Sequence, residues 1–254
     1  MSDSPLTADV VVVLAAGLGT RLKSEKGPPK PLVQLAGRPL ALRVLDRFAE
    51  AGVREAIVVV GHRADEVRAG IEGGAPAMPV TFVENPRYRM SNGLSVLAAS
   101  AAVGARAFFL SMSDHVFEPS LIRGLGAAKL PEDGLVLAVD RKLDRIFDED
   151  DATKVRTEGG RIVEIHKNLT AFDAVDTGLF ACTPALFAAI REAAAKRPDG
   201  DCSLSDGVKA LAAGGRALVH DIGDGWWQDV DTPEAMAHAA AQMDLMGGPR
   251  SERA

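Results

Sequence analysis

Gly17, Gly19, Arg21 and Lys30 stand close together behind a short apolar run, and each is a residue type suited to holding a polyanion. Ala15, Ala16, Gly17 and Gly19 remove side chains where the run from Val10 to Leu14 ends, so backbone N–H groups can approach an anionic ligand. Arg21 and Lys30 add fixed positive charge, and Pro28, Pro29 and Pro31 stiffen the chain around the lysine. The stretch is a phosphate-handling loop by composition. Carboxylates suited to a divalent cation follow at two places: Asp114, just after the apolar run that ends at Met112, and Asp229 with Asp231 in the segment WWQDVDTP. Mg²⁺ prefers oxygen ligands and usually takes one or two carboxylates beside phosphate oxygens and water.

These residues can meet only if the chain between them folds as alternating strands and helices. Val10 to Leu14 reads as a central strand buried on both faces. Further strands are predicted at Ala56 to Val60, Pro79 to Val83, Ala107 to Met112 and Leu135 to Asp140, with helices at Pro39 to Glu50, His62 to Ile71, Met90 to Leu97 and Glu118 to Leu125. The alternation predicts an α/β fold with a three-layer, mostly parallel, Rossmann-like sheet. Such sheets place ligands beyond the carboxyl ends of their strands, where both the glycine loop and Asp114 fall.

The second half has a different character. Asp144 to Asp151 holds five acidic residues in eight and reads as a solvated loop, with a lid over the site as the alternative. Lys154 to Thr157 and Arg161 to His166 flank Glu158-Gly159-Gly160 as a hairpin, and Asp176-Thr177-Gly178 opens another strand. Helices are expected at Pro184 to Lys196 and Leu204 to Ala213, a strand at Ala217 to His220, and a last helix from Thr232 to about Met246. The expected organisation is a single domain over 1–246, with a small β extension covering an acceptor site, and a flexible tail at 247–254.

Charge and composition narrow the function. A net charge of −6 without a long basic block argues against nucleic acid or anionic membrane as partner. The first apolar run is too short to span a bilayer and lacks basic flanks, so no membrane insertion and a cytoplasmic location are expected. Cys182 and Cys202 have neither metal nor redox spacing, and the five histidines form no zinc pattern. His115 reads as structural. Asn92 and Ser95 could equally cap the helix that starts near Ser91 or contact a base, and Gly93 would let a ligand come close. Asp229 and Asp231, two apart, would share one face of a strand, although Asp231 or Thr232 could instead cap the helix at Pro233.

Three glycine-loop designs compete for the first stretch. In a G-x-G-x-x-G frame from Gly17 the third glycine is Leu22, and in a P-loop frame the second glycine is again Leu22, so both weaken. The nucleotidyltransferase signature, L-A-A-G-x-G-T-R-L followed by P-K-P-L, is complete as Leu14 to Leu22 and Pro29 to Leu32. With SDH, DTGLF and DVDTP further on, the chain resembles the sugar-1-phosphate nucleotidylyltransferase superfamily over nearly its whole length. MSDHVF, EIHKNL, AVDTGLF and WWQDVDTPE make it most similar to the inositol-1-phosphate cytidylyltransferases.

The resemblance implies transfer of CMP from CTP to a phosphorylated alcohol, inositol 1-phosphate, with pyrophosphate released and Mg²⁺ as cofactor. Arg21 and Lys30 would stabilise the triphosphate and transition state, and Lys167 would hold the acceptor phosphate. Leu14, Ala15, Ala16, Gly17, Gly19, Thr20, Asn92, Gly93 and Ser95 would surround the nucleotide, and Asp114 with Asp231 or Asp229 the metal. Glu164, Asp173, Asp176 and Thr177 are candidate partners for acceptor hydroxyls. Alternatives are a phosphocholine or phosphonate cytidylyltransferase, a hexose-1-phosphate nucleotidylyltransferase, or a non-catalytic nucleotide-binding regulator. Phosphocholine would favour an aromatic cage, which Tyr88, two tryptophans and nine phenylalanines would have to supply. Several inositol relatives are fused to a membrane-embedded alcohol phosphotransferase, so a separate membrane enzyme is the expected consumer of the product.

Overall fold

The computed structural model describes residues 6–22 and 27–247. Its strands in chain order are β1 (Val10–Ala15), β2 (Gln34–Leu35), β3 (Arg38–Pro39), β4 (Glu55–Val60), β5 (Val80–Glu84), β6 (Phe108–Met112), β7 (His115–Phe117), β8 (Leu135–Asp140), β9 (Lys154–Glu158), β10 (Arg161–His166), β11 (Ala174–Cys182), β12 (Ala217–Asp221) and β13 (Trp227–Asp229). The helices are α1 (Leu40–Ala51), α2 (Ala64–Gly73), α3 (Gly93–Ala98), α4 (Ser100–Val103), α5 (Pro119–Ala127), α6 (Ala185–Ala195), α7 (Leu204–Ala213) and α8 (Pro233–Gly247). Helix α8 reaches Gly247, and the rest of the expected tail lies outside the described residues.

Nine strands form one sheet in the order β5-β4-β1-β6-β11-β8-β12-β10-β9. The half that carries the glycine loop is parallel throughout, β1 lying between β4 and β6. Antiparallel pairing enters with β11, which runs opposite to both β6 and β8. Every residue of β1 is buried, and its side chains divide by parity between two cores. Val10, Val12 and Leu14 pack toward the face that also holds Val96, Leu186 and Val208, from α3, α6 and α7. Val11, Val13 and Ala15 pack toward Leu45, Val67 and Leu121, from α1, α2 and α5. A run of consecutive apolar residues is what a strand covered on both faces requires.

Helix α1 buries Leu42, Leu45 and Phe48 along one stripe and stops at Gly52, whose φ of +103° closes the turn with its N–H bonded to the carbonyl of Ala49. A third, small core of Leu35, Leu40, Val116, Val230 and Ala239 joins the β2–β3 hairpin, the start of α1, β7, the residue after β13 and α8. The β7–β13 ribbon was not expected from the sequence, because each strand is only three residues long. Its register places Asp229 opposite His115, and the N–H of Val230 donates to the carbonyl of Asp114 at 2.9 Å. No helix among the described residues is long and apolar enough to cross a membrane.

Candidate active site

The carboxyl ends of β1 and β6 open onto two adjoining cavities of about 450 and 320 Å³. Arg21, Asn92, Met112, His115 and Asp231 line both, so the two are lobes of one cleft. The smaller lobe is walled by Leu14, Ala15, Ala16, Gly17, Gly19 and Lys30, together with Ser95 and Asp114. Asp140, Phe147, Asp151, Lys167, Asp176 and Trp227 face the larger one.

The loop after β1 is shaped by two glycines for different reasons. Gly19 has φ +59°, and a Cβ there would stand 2.5 Å from Cβ of Lys30, so both backbone angle and close approach exclude a side chain. A Cβ on Gly17 would meet nothing within 4 Å, so that position leaves open space over the loop. Thr20 lies in the 3₁₀ turn Thr20–Leu22, and Lys30 in a second one, Lys30–Leu32, entered from Pro29. That turn directs Lys30 inward, where its side chain is only 11% exposed and its Nζ lies 2.5 Å from Asp114 Oδ2.

Asp114, His115 and Asp229 form a compact cluster, one ligand atom from each lying within 4.8 Å of the others. His115 Nδ1 is 2.9 Å from Asp114 Oδ1 and 4.0 Å from Asp229 Oδ1, and its ring stacks on Trp227. Burial disfavours protonation of His115, but Asp229 and Asp114 outweigh it and raise the imidazole to about 9. Burial likewise pushes up the Asp114 carboxyl, yet Lys30 and His115 hold it well below its usual range. For Asp229 burial dominates, helped by Asp114 and Asp231, and its carboxyl is raised. Asp229 Oδ1 is buried and accepts no hydrogen bond. A buried carboxylate oxygen without a donor is costly, and two carboxylates facing one space fit a hard divalent cation.

Asp231 is separate from this cluster. Strand β13 ends at Asp229, so the two aspartates do not share a strand face as expected; Thr232 caps α8, its Oγ1 accepting from the N–H of Ala235 at 3.1 Å. Asp231, 5% exposed, pairs by charge with Arg21 Nη2, outside hydrogen-bond geometry. Arg21 Nη1 donates to Asp151 Oδ2 at 2.5 Å, and Lys167 Nζ donates to Asp151 Oδ1 at 2.7 Å.

The remaining expected residues divide. Ser95 lines the smaller lobe and accepts from Asn85 Nδ2 at 2.9 Å, leaving its hydroxyl proton to donate. Asn92 lines both lobes but does not cap α3; its Oδ1 accepts from the N–H of Leu204 at the start of α7. Gly93 is not open to a ligand, since a Cβ there would lie 2.3 Å from the carbonyl of Cys202 and the glycine serves packing. Asp176 faces the larger lobe, its Oδ1 accepting from the N–H of Gly178, and burial raises its carboxyl to about 6 against that bond and the nearby His115. Thr177 is wholly buried with its hydroxyl donating to the carbonyl of Ala138, which removes it from the acceptor set. Glu164 lies on β10, exposed and paired with Arg156, away from both lobes. Asp173 is likewise occupied by Thr157 and Arg141.

Sequence reading passed over Asp140 and undervalued His115. Asp140 ends the apolar run of β8, as Asp114 follows that of β6, and both its oxygens are engaged: Oδ1 by Lys142 Nζ at 2.8 Å, Oδ2 by Trp227 Nε1 at 3.0 Å. An aspartate closing a buried strand was the available signal. Gly178, at φ +73°, explains the glycine of DTGLF, because a Cβ there would stand 2.3 Å from the His115 ring.

Residues 11–206 match the MobA-like NTP transferase domain. The chain belongs to this family. Among curated relatives, the protein named bifunctional IPC transferase and DIPP synthase of Rubrobacter xylanophilus is 42% identical over 224 residues, covering 87% of this chain and 49% of that protein. CMP-5'-(3-aminopropyl)phosphonate synthase of Streptomyces rubellomurinus is 36% identical over 238 residues, covering 87% of this chain and 37% of the relative. The chain thus spans about half the length, or less, of these relatives. The inositol-1-phosphate CTP transferase from T. maritima shares the fold with a TM-score of 0.82 at 24% identity, over 95% of this chain and 98% of that one. A UDP-glucose pyrophosphorylase complexed with UDP-glucose does so at 0.77 and 16%, over 94% and 99%.

Residues 11–206 are thus an NTP transferase domain, and a cleft serving such a domain must accommodate highly charged phosphates. The charge plan suits that task. Three fixed cations of the cleft have acidic partners: Lys30 has Asp114, Arg21 has Asp231 and Asp151, and Lys167 has Asp151. The basic groups are therefore held in place by carboxylates that an incoming phosphate can replace.

Proposed function

We propose that this chain transfers CMP from CTP to inositol 1-phosphate, giving CDP-inositol and pyrophosphate. The observation that carries the reading is the pairing of Lys30 with Asp114 between the signature loop and the acidic cluster. It sets a triphosphate-binding cation directly beside the carboxylates that suit a divalent metal. The acceptor phosphate needs no general base, because its second pKa near ~6 leaves it largely a dianion at neutral pH. Its oxygen attacks the α-phosphorus of CTP, the bond from that phosphorus to the α–β bridging oxygen breaks, and pyrophosphate leaves with the electron pair.

Arg21 and Lys30 hold the negative charge that builds on the transferring group and the leaving pyrophosphate, and Lys167 orients the acceptor phosphate. Asp114 and Asp229 would hold Mg²⁺, with Asp231 keeping Arg21 in place. Bound there, the metal supplies Lewis-acid neutralisation of phosphate charge. Ser95 and the free amide N–H of Asn92 offer donors to the O2 and N3 acceptors of a cytosine ring in the smaller lobe. A base of opposite polarity would leave such groups unpaired at ~1–3 kcal/mol each. Asp140, Lys142 and Asp176 offer partners to ring hydroxyls in the larger lobe. The product is an activated alcohol phosphate whose consumer would be a membrane-embedded alcohol phosphotransferase.

A second reading has its own support. Phe147, Trp226 and Trp227 all line the larger lobe beside Asp140, Asp224 and Asp229, so both tryptophans of the chain face it. Aromatic faces next to carboxylates suit an alkylammonium head, as in phosphocholine or an aminoalkylphosphonate. Pyrophosphate release measured for each nucleoside triphosphate against inositol 1-phosphate, phosphocholine, 3-aminopropylphosphonate and glucose 1-phosphate decides. The highest kcat/KM is expected for CTP with inositol 1-phosphate. Preference for either ammonium acceptor would establish the second reading, and preference for UTP with the hexose phosphate would reject both.

A further inference from the structure

Arg21 comes from the loop after β1 and Lys167 from the segment after β10, yet one carboxylate spans them. Asp151 gives each cation its own oxygen, Oδ2 to Arg21 Nη1 at 2.5 Å and Oδ1 to Lys167 Nζ at 2.7 Å. Among the described residues Lys167 has no other acidic partner, and Arg21 has only Asp231 besides. Burial works to raise the Asp151 carboxyl, and the two hydrogen bonds outweigh it, leaving the group below its ordinary range. All three residues line the larger lobe.

The segment that carries Asp151 is clasped across that lobe. Phe147 stacks on His238 of α8 with ring centroids 4.5 Å apart. At its far end, Lys154 Nζ donates to the carbonyls of Glu149 and Asp150 at 3.0 and 3.3 Å. Five acidic residues crowd this segment, but Asp151 alone of them reaches Arg21 or Lys167.

We infer that Arg21 and Lys167 make one phosphate subsite and that Asp151 occupies it as an internal competing anion until a phosphate arrives. The identity of that phosphate rests on the reading above, but the subsite does not. A carboxylate with one oxygen on each cation has the arrangement of a bridging anion. A phosphate carries about −1.5 to −2 charge and three acceptor oxygens, against −1 and two for the carboxylate, so it wins the same two cations. Its entry frees residue 151 from both cations. An ordinary exposed ion pair predicts otherwise, because removing it would leave phosphate affinity unchanged.

The test measures binding of inorganic phosphate and of pyrophosphate by calorimetry at low ionic strength, with chelator present, to the unaltered chain and to Asp151→Asn, Asp151→Glu and Asp150→Asn. Asp150→Asn removes the same charge from the same segment without touching either cation. Asp151→Asn is expected to bind phosphate roughly fivefold more tightly, the combined effect of releasing two partly exposed ion pairs. Asp151→Glu should stay near the unaltered chain and Asp150→Asn should gain much less. Unchanged or weaker binding in Asp151→Asn, or an equal gain in Asp150→Asn, overturns the inference. Neither probe carries a base or an alcohol, so failure here is distinguishable from a wrong nucleotide or acceptor.

Discussion

Lys30 Nζ and Asp114 Oδ2 stand 2.5 Å apart, although one follows β1 and the other follows β6. The strands are parallel neighbours, with Leu14 beside Met112, so their carboxyl ends deliver the two loops to the same edge of the sheet. On the metal site proposed above, Asp114→Asn removes the negative charge that would attract the cation and that holds Lys30, and kcat should fall roughly a hundredfold or more while the circular dichroism spectrum is retained. Near-normal turnover in the folded variant would take Asp114 out of the chemistry.

The two aspartates of WWQDVDTP are separated by their neighbours. Asp229 faces Asp114 and His115, whereas Asp231 faces Arg21. Asp229→Asn should weaken Mn²⁺ binding measured by calorimetry at least tenfold. Asp231→Asn should leave Mn²⁺ binding close to normal and raise KM for the nucleotide through a loosened Arg21. A larger loss of metal affinity in the Asp231 variant would reverse the two roles.

Gly178 and Gly160 both have positive φ, +73° and +78°, but only Gly178 is hemmed in, by His115. Alanine at either site should cost ~1–2 kcal/mol in urea unfolding from the left-handed backbone alone. Gly178→Ala must also displace the His115 ring, so it should lower kcat as well, while Gly160→Ala leaves kcat unchanged. Equal kcat in the two variants would show that the position of the His115 ring is unimportant.

Asp176 gives a pH dependence whose sign can be worked out. Its carboxyl is raised from 3.8 to about 6 by burial, so between these values the folded chain binds more protons than the unfolded one. Stability from this group therefore falls as pH rises from about 4 to 6, and the penalty is complete above 6. A shift of this size corresponds to on the order of 2–3 kcal/mol before solvent screening. Asp176→Asn keeps an oxygen for the N–H of Gly178 and removes the charge, so its melting temperature should exceed that of the unaltered chain at pH 7.5 and match it near pH 4. The same difference at both pH values would refute the assignment.

What could be read in the sequence was whatever depends on near neighbours. Val10 to Ala15 declares a doubly covered strand by its unbroken apolar run, and the signature around Gly19, Arg21 and Lys30 declares the family. Relations made by register could not be read. The β7–β13 ribbon rests on two three-residue strands, yet it decides that Asp229 joins Asp114 while Asp231 does not. Thr177 was a candidate partner for acceptor hydroxyls, but strand alternation turns it into the core to meet the carbonyl of Ala138. Gly93 was credited with admitting a ligand when its missing side chain admits the backbone of Cys202 instead. Each of these depends on a partner distant in the chain.

The position of β11 bears on how the protein is made. This nine-residue strand lies between β6 and β8, pairing antiparallel with both. During synthesis the parallel half ends at β6 with a bare edge, and β8 has no partner until residues 174–182 emerge; its other neighbour, β12, comes later still. At roughly 5–20 residues per second, that edge stays open for several seconds on the ribosome. An unpaired, buried-type strand edge is a template for pairing with another chain. The nascent protein should therefore depend on chaperones until β11 is made, and chains truncated before residue 174 should accumulate as aggregates.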